Sequence, residues 1–169
     1  MTNTKKTVSL KKRNKAIFIC AGVIVVIIAL ILIIKVGFDG KETTASSGGD
    51  LIISKSEVTG KATFYPYNSG STKMEVLAVK TTDGTIRTAF NTCQVCYDSG
   101  RGYYKLDGDV LVCQNCGNRF QADQVELEKG GCNPVPIFKE NKTDDGKNIV
   151  IAKDFMEKNK ALFGNWSKE

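Results

Sequence analysis

Histidine is missing altogether from this chain of 169 residues, and it holds one tryptophan and three prolines. With no histidine, and no activated serine or lysine motif, there is no constellation for acid–base or nucleophilic work on a small molecule. The chain is therefore expected not to be an enzyme. A His-ligated haem and a blue-copper centre are excluded for the same reason. The body also lacks an excess of charge. The net +6 resides in an arm holding Lys5, Lys6, Lys11, Lys12, Arg13 and Lys15; from Lys35 onward eighteen basic and eighteen acidic residues cancel. Nucleic-acid binding requires a basic patch on the body. None is visible, so no nucleic-acid partner is expected.

What the chain does have is a long apolar run. AIFICAGVIVVIIALILII, residues 16–34, holds no charge. As a helix it would span about 28 Å, close to the hydrocarbon thickness of a bilayer. The reading is a basic cytoplasmic arm at 1–15 and a single-pass anchor at 16–35 in the cell membrane. The Lys/Arg bias puts the bulk of the chain outside the cytoplasm. A cleaved signal peptide competes, but KVGFDGKE offers no small-residue cleavage site. Cys20 lies at the start of the run, where it reads as an apolar filler rather than a lipidated residue.

Residues 36–51, containing DGKETTASSGGD, read as a flexible tether, and 52–169 as the extracytoplasmic domain. That domain begins strand-like, with ATFYPY (62–67), MEVLAVK (74–80) and TIRTAF (85–90). TTDG (81–84) joins the last two as a hairpin. YYKL (103–106) and DVLV (109–112) flank Asp107-Gly108 as a second hairpin. Near the end, Ala152, Phe155, Met156, Asn159, Leu162, Phe163 and Trp166 fall on one helical face, which predicts a helix packed on the sheet.

The chemistry lies in the cysteines. Cys93 and Cys96 form one C-x-x-C pair, Cys113 and Cys116 a second, and sixteen residues separate them. The intervening hairpin folds the pairs into neighbours. Disulfides are the default outside the cytoplasm, but the five outer cysteines, Cys132 included, cannot all pair within one chain. Nor does either C-x-x-C sit at a helix start, as a thiol-exchange motif would. Four thiolates instead suit one Zn²⁺ or an iron–sulfur cluster. The doubled spacing points to a four-cysteine site and leaves the metal open. In CQNCG, Gly117 permits the tight knuckle; CQVCY lacks that glycine and must turn differently.

Three stretches, NTCQVCYDSGRGYY, GDVLVCQNCGNRF and GGCNPVPI, together resemble the FtrD-like family of membrane iron–sulfur-containing proteins over residues from about 60 to 140. That resemblance implies a membrane-tethered iron–sulfur protein linked with iron uptake or another metal-transport system. More distantly, the order of two ligand loops and a glycine–proline loop resembles Rieske ferredoxin domains with every ligand a cysteine, since the histidines of a true Rieske cluster are absent. By that analogy Cys93, Cys96, Cys113 and Cys116 hold the cluster, and Gly130, Gly131, Cys132, Asn133 and Pro134 form the loop that covers it. Cys132 would sit beside the cluster, replace a ligand or receive a metal. Tyr97, Tyr103, Tyr104 and Phe120 are placed to shield it, and Arg101 and Arg119 to meet an acidic redox partner.

The expectation is therefore a mainly β fold: a small Rieske-like, rubredoxin-knuckle metal-binding domain with a C-terminal helix, behind one transmembrane helix. Its expected cofactor is an iron–sulfur cluster of [2Fe–2S] type, with Zn²⁺ the alternative. Its expected role is electron transfer beside a membrane-embedded iron or metal permease or ABC-type transporter. A structural zinc ribbon and a thiol–disulfide or metal-delivery protein are the competing readings.

Overall fold

The computed structural model describes residues 46–168. The basic arm and the apolar run at 16–34 lie outside the described residues, as does most of the expected tether. Among the described residues no helix is long and apolar enough to cross a membrane.

The described chain is mainly β. Strands β1 (Ser46–Ser47), β3 (Thr63–Ser69), β4 (Thr72–Lys80), β5 (Ile86–Cys93) and β9 (Pro134–Pro136) form a five-stranded sheet in the order β1-β3-β4-β5-β9. Strands β10 (Thr143–Asp144), β11 (Asn148–Ile151) and β2 (Leu51–Ser54) form a second sheet, and β6 (Tyr104–Asp107), β7 (Val110–Cys113) and β8 (Arg119–Gln121) a third. β1 pairs in parallel with β3, and Leu51 at the start of β2 is buried, so part of the expected tether belongs to the folded body.

Successive residues of a strand point to opposite faces, and β4 is buried on both. Met74, Val76 and Ala78 enter an inner core with Tyr65, Tyr67, Phe90, Ile53 and Ile151. Leu77 and Val79 face the other way, into a core with Ala89, Cys93, Tyr104, Leu111, Cys113 and Phe120. The inner core joins the first sheet to the second; the outer core joins it to the hairpin sheet and contains the sulfur.

Both predicted hairpins form. Lys80 pairs with Ile86, and Thr81 and Thr85 close the turn through an N–H···O bond of 2.9 Å. In the second hairpin Asp107 pairs with Val110, so the two turn residues are Gly108 and Asp109, one place later than expected. Gly108 takes the positive φ of 64° there, which glycine adopts without steric cost.

The helical end is shorter than its pattern. α1 (Lys153–Asn159) gives way to a 3₁₀ turn at Lys160–Phe163. Met156 and Phe163 are buried in the inner core, and Phe155, Leu162 and Trp166 pack partly buried against it. Ala152 precedes the helix and is exposed.

Candidate metal centre

Three chain segments deliver the sulfurs. β5 ends on Cys93, beyond a bulge against β9 between Phe90 and Cys93; bulges re-aim side chains beside sites. The first knuckle then turns through Cys96 into a 3₁₀ turn at Tyr97–Ser99, which ends on left-handed Gly100. That is how CQVCY turns without a glycine after its second cysteine. β7 ends on Cys113, and Gly117 (φ 75°) closes the second knuckle with its N–H on the Cys113 carbonyl at 2.9 Å. Cys132 arrives on the loop before β9.

The five cysteines among the described residues are all free. The sulfurs of Cys93, Cys96, Cys113 and Cys132 lie within 4.8 Å of one another. Individual separations are 3.0 Å for Cys93–Cys96, 3.3 Å for Cys93–Cys132, 3.6 Å for Cys96–Cys113 and 3.7 Å for Cys96–Cys132. Cys116 stands outside that group and touches Cys132 at 2.8 Å. Burial is graded: Cys93 and Cys113 are 0% and 1% exposed, Cys96 and Cys132 are half-buried, and Cys116 is exposed.

The third loop is tied to both knuckles. From the first, Gln94 donates its N–H to Asn133 O (3.0 Å) and its side-chain amide to Pro134 O (3.2 Å), and accepts from Gly130 N (2.9 Å). From the second, Asn118 Nδ2 donates to Cys132 O at 2.8 Å. The Tyr104 hydroxyl donates to the same carbonyl at 2.8 Å. Tyr104 is itself held by Asn91, whose Oδ1 accepts from Tyr104 N at 2.7 Å and whose Nδ2 donates to Tyr104 O at 3.2 Å. Asn91 Nδ2 also donates to buried Glu75, which pairs with Lys168.

Electrostatics differ from sulfur to sulfur. At Cys93 burial acts upward, but the Cys96 side chain and the backbone N–H groups of Cys96 and Val95 outweigh it, and the thiol is lowered. Burial, then the Cys93 sulfur, pushes Cys96 up to about 12. Burial and the Cys116 contact push Cys132 up, while contact with Cys132 and the Asn118 N–H lower Cys116. Burial, followed by the charge of Cys93, raises Tyr104 and keeps its hydroxyl a donor.

Of the proposed shielding aromatics, Tyr104 and Phe120 pack in the sulfur core. Tyr103 instead meets Trp166 edge-on at 6.1 Å, and Tyr97 lies in the 3₁₀ turn. Arg119 pairs with Asp107 at 2.8 Å, and Arg101 is exposed. The sequence reading missed Gln94, Asn118, Asn91 and Glu75. Gln94 directly follows Cys93 and Asn118 comes two residues after Cys116, which is the one signal that could have singled them out.

The chemistry of this donor set is that of thiophilic metals. The profile of a family described as membrane iron–sulfur-containing proteins, FtrD-like, matches residues 58–163. The chain belongs to this family. No curated protein sequence matches this FtrD-like chain. Among solved structures it is similar to a naphthalene 1,2-dioxygenase variant bound to phenanthrene, with 15% identity, a TM-score of 0.40, and coverage of 66% of this chain and 27% of that one. A quaternary ammonium Rieske monooxygenase in complex with an inhibitor gives 16% identity and a TM-score of 0.40, covering 66% of this chain and 32% of the other. The FtrD-like chain thus spans about a third or less of the length of either enzyme.

Proposed function

We propose that this FtrD-like protein is a membrane-anchored, extracytoplasmic one-electron carrier whose cysteines hold an iron–sulfur centre, and that it serves an iron or metal transport system without turning over a substrate. The observation that carries the reading is the convergence of four free sulfurs from three loops on one point, with the sulfur of Cys116 touching one of them, in a chain of this family. The donors fit such a centre in kind and number: soft sulfurs, with a Cys96 N–H directed at Cys93 Sγ (3.4 Å) as is usual around cluster sulfurs.

Cys93, Cys96 and Cys113 supply three ligands in this reading, and the fourth position falls to Cys116 or Cys132. An all-cysteine [2Fe–2S] cluster would supply a single-electron couple near about −400 mV, far below the Rieske range. Tyr104, Leu111 and Phe120 exclude water from its inner side. The exposed second knuckle leaves the outer side open to a redox partner.

A second reading is favoured by the size of the sulfur group. Four thiolates around one metal at about 2.3 Å have edges of about 3.8 Å; four of the six edges here measure 3.0 to 3.7 Å and all six lie within 4.8 Å, which is of that order. A single Zn²⁺ or Fe ion would sit at such a site as a structural centre.

One preparation separates the two. The full chain, purified without oxygen, is analysed for iron, zinc and acid-labile sulfide and examined by EPR after reduction. Iron with sulfide and a midpoint well below 0 mV supports the carrier. Zinc without sulfide supports the structural centre, and paired sulfurs with no metal defeat both.

A further inference from the structure

Glu75 is a buried charge that hydrogen bonding alone does not explain. It lies two residues before Leu77 on β4, on the face that lines the sulfur core, and is 6% exposed. It accepts from Asn91 Nδ2 at 2.5 Å. A neutral glutamine would accept the same bond without the cost of burying a carboxylate. We infer that Glu75 and Lys168 form a charge pair that sets the reduction potential of the sulfur centre, the carboxylate holding it low and the ammonium tempering that effect. The inference rests on the electron-carrier reading and adds to it the residues outside the cysteines that fix the potential.

Three observations support it. The carboxylate is joined to the third loop by a chain of hydrogen bonds. Asn91, which it holds, accepts through Oδ1 from Tyr104 N at 2.7 Å, and the Tyr104 hydroxyl donates to Cys132 O at 2.8 Å. Asn91 and Tyr104 are both 0% exposed, and in such low-dielectric surroundings a charge acts more strongly than it does in water. The ammonium, secondly, is held in place. Lys168 Nζ donates to both carboxylate oxygens, at 2.8 and 2.6 Å, and sits 4.7 Å from the centroid of the Phe64 ring. The residues before it are fastened beside the first knuckle, Ser167 N to Gly100 O at 2.9 Å and Trp166 Nε1 to Asn91 O at 3.0 Å. Lastly, the pair is unevenly exposed, 7% for the Glu75 side chain and 24% for Lys168. Water screens the cation more, and the carboxylate prevails.

Each partner acts with its own sign. Gaining one electron adds one negative charge among the sulfurs; Glu75 opposes that gain and Lys168 favours it. A purely structural role predicts something else. Losing either partner of a salt bridge loosens the same contact and moves both variants the same way.

The test uses the full chain in detergent, purified without oxygen and titrated by EPR at about pH 8, well above the ordinary carboxylate range. Glu75→Gln keeps an acceptor for Asn91. It is expected to raise the ratio of reduced to oxidised centre at a fixed potential by about three- to tenfold, up to about 59 mV for one electron. Lys168→Met is expected to lower that ratio by a similar factor, and Lys168→Arg to leave it near the wild-type value. Opposite shifts with unchanged iron and sulfide content support the inference. Shifts in the same direction, a change of less than about twofold in Glu75→Gln, or loss of its iron overturn it. If Lys168→Met loses its iron, the double variant Glu75→Gln/Lys168→Met decides, because it buries no unpaired charge. A ratio between those of the wild type and Glu75→Gln then supports the inference, and any other overturns it. A wild-type chain without iron and sulfide removes the carrier reading and this inference with it, a result distinct from an iron–sulfur chain whose potential ignores both residues.

Discussion

Gly102 shows how much of the site depends on a single absent atom. A Cβ there would lie 2.5 Å from the Cys96 carbonyl oxygen and 2.8 Å from its carbon. Both are backbone atoms and cannot swing away. Gly102→Ala is therefore expected to displace the first knuckle and destabilise the metal-loaded protein by about 1–3 kcal/mol, the usual cost of overpacking. Denaturant unfolding measures it, and an unchanged midpoint would mean the loop yields. Glu126 is a second such residue. It holds a positive φ of 68°, and its carboxylate accepts from Thr88 N at 2.6 Å, Thr88 Oγ1 at 3.0 Å and the Lys142 ammonium. The Lys142 and Glu126 side chains are only 7% and 13% exposed. Burial already pushes Lys142 down despite its partner. Glu126→Ala leaves a buried cation unpaired and should cost about 3–5 kcal/mol; adding Lys142→Met should recover much of that in a double-mutant cycle.

Among the elements, the hairpins were the most legible. Alternation marked β4, β5, β6 and β7, and Asp-Gly pairs marked their turns within one residue. Asp83 also shows what a turn adds. Hydrogen bonds from Thr81 Oγ1, then Thr85 N, hold its carboxyl at about 2, against 3.8 for an ordinary aspartate. Because the folded value lies below the unfolded one, the turn's contribution is complete above 3.8 and disappears as pH falls toward 2. The hydrogen-exchange protection factors of Gly84 and Thr85, taken relative to intrinsic rates at each pH, should fall over that window, while amides in the middle of β4 stay protected. The second sheet was not legible. β2 and β11 are nearly 100 residues apart in sequence, and each is four residues long, too short for alternation to name its partner. The helix was seen in position but not in length, because the same apolar stripe suits an α turn followed by a 3₁₀ turn.

Across the whole molecule two cores share one sheet, and metal is expected to matter to them unequally. Cys93 and Cys113 are part of the outer core, whereas the inner core closes on aliphatic and aromatic side chains, including Phe163 with Phe90 and Trp166 around it. Stripping the metal should raise hydrogen exchange in β6, β7 and β8 while leaving Trp166 fluorescence and the exchange of β3 and β4 nearly unchanged. Loss of both together would show a single cooperative unit. The cysteine spacing foretold that the two knuckles would meet. It did not foretell the depth at which Cys132 enters, which depends on Gln94, Asn118 and Tyr104, residues joined to that loop only by the fold.

The two-faced burial of β4 also limits how the sulfur loops can move. Sliding the strand by one residue would exchange the occupants of two compartments at once. The Glu75 carboxylate would be driven, stripped of Asn91 and Lys168, into hydrocarbon beside Tyr67. That penalty works as a ratchet stop, so the loops have a fixed datum against which a fraction of an ångström at the sulfurs can carry chemical meaning.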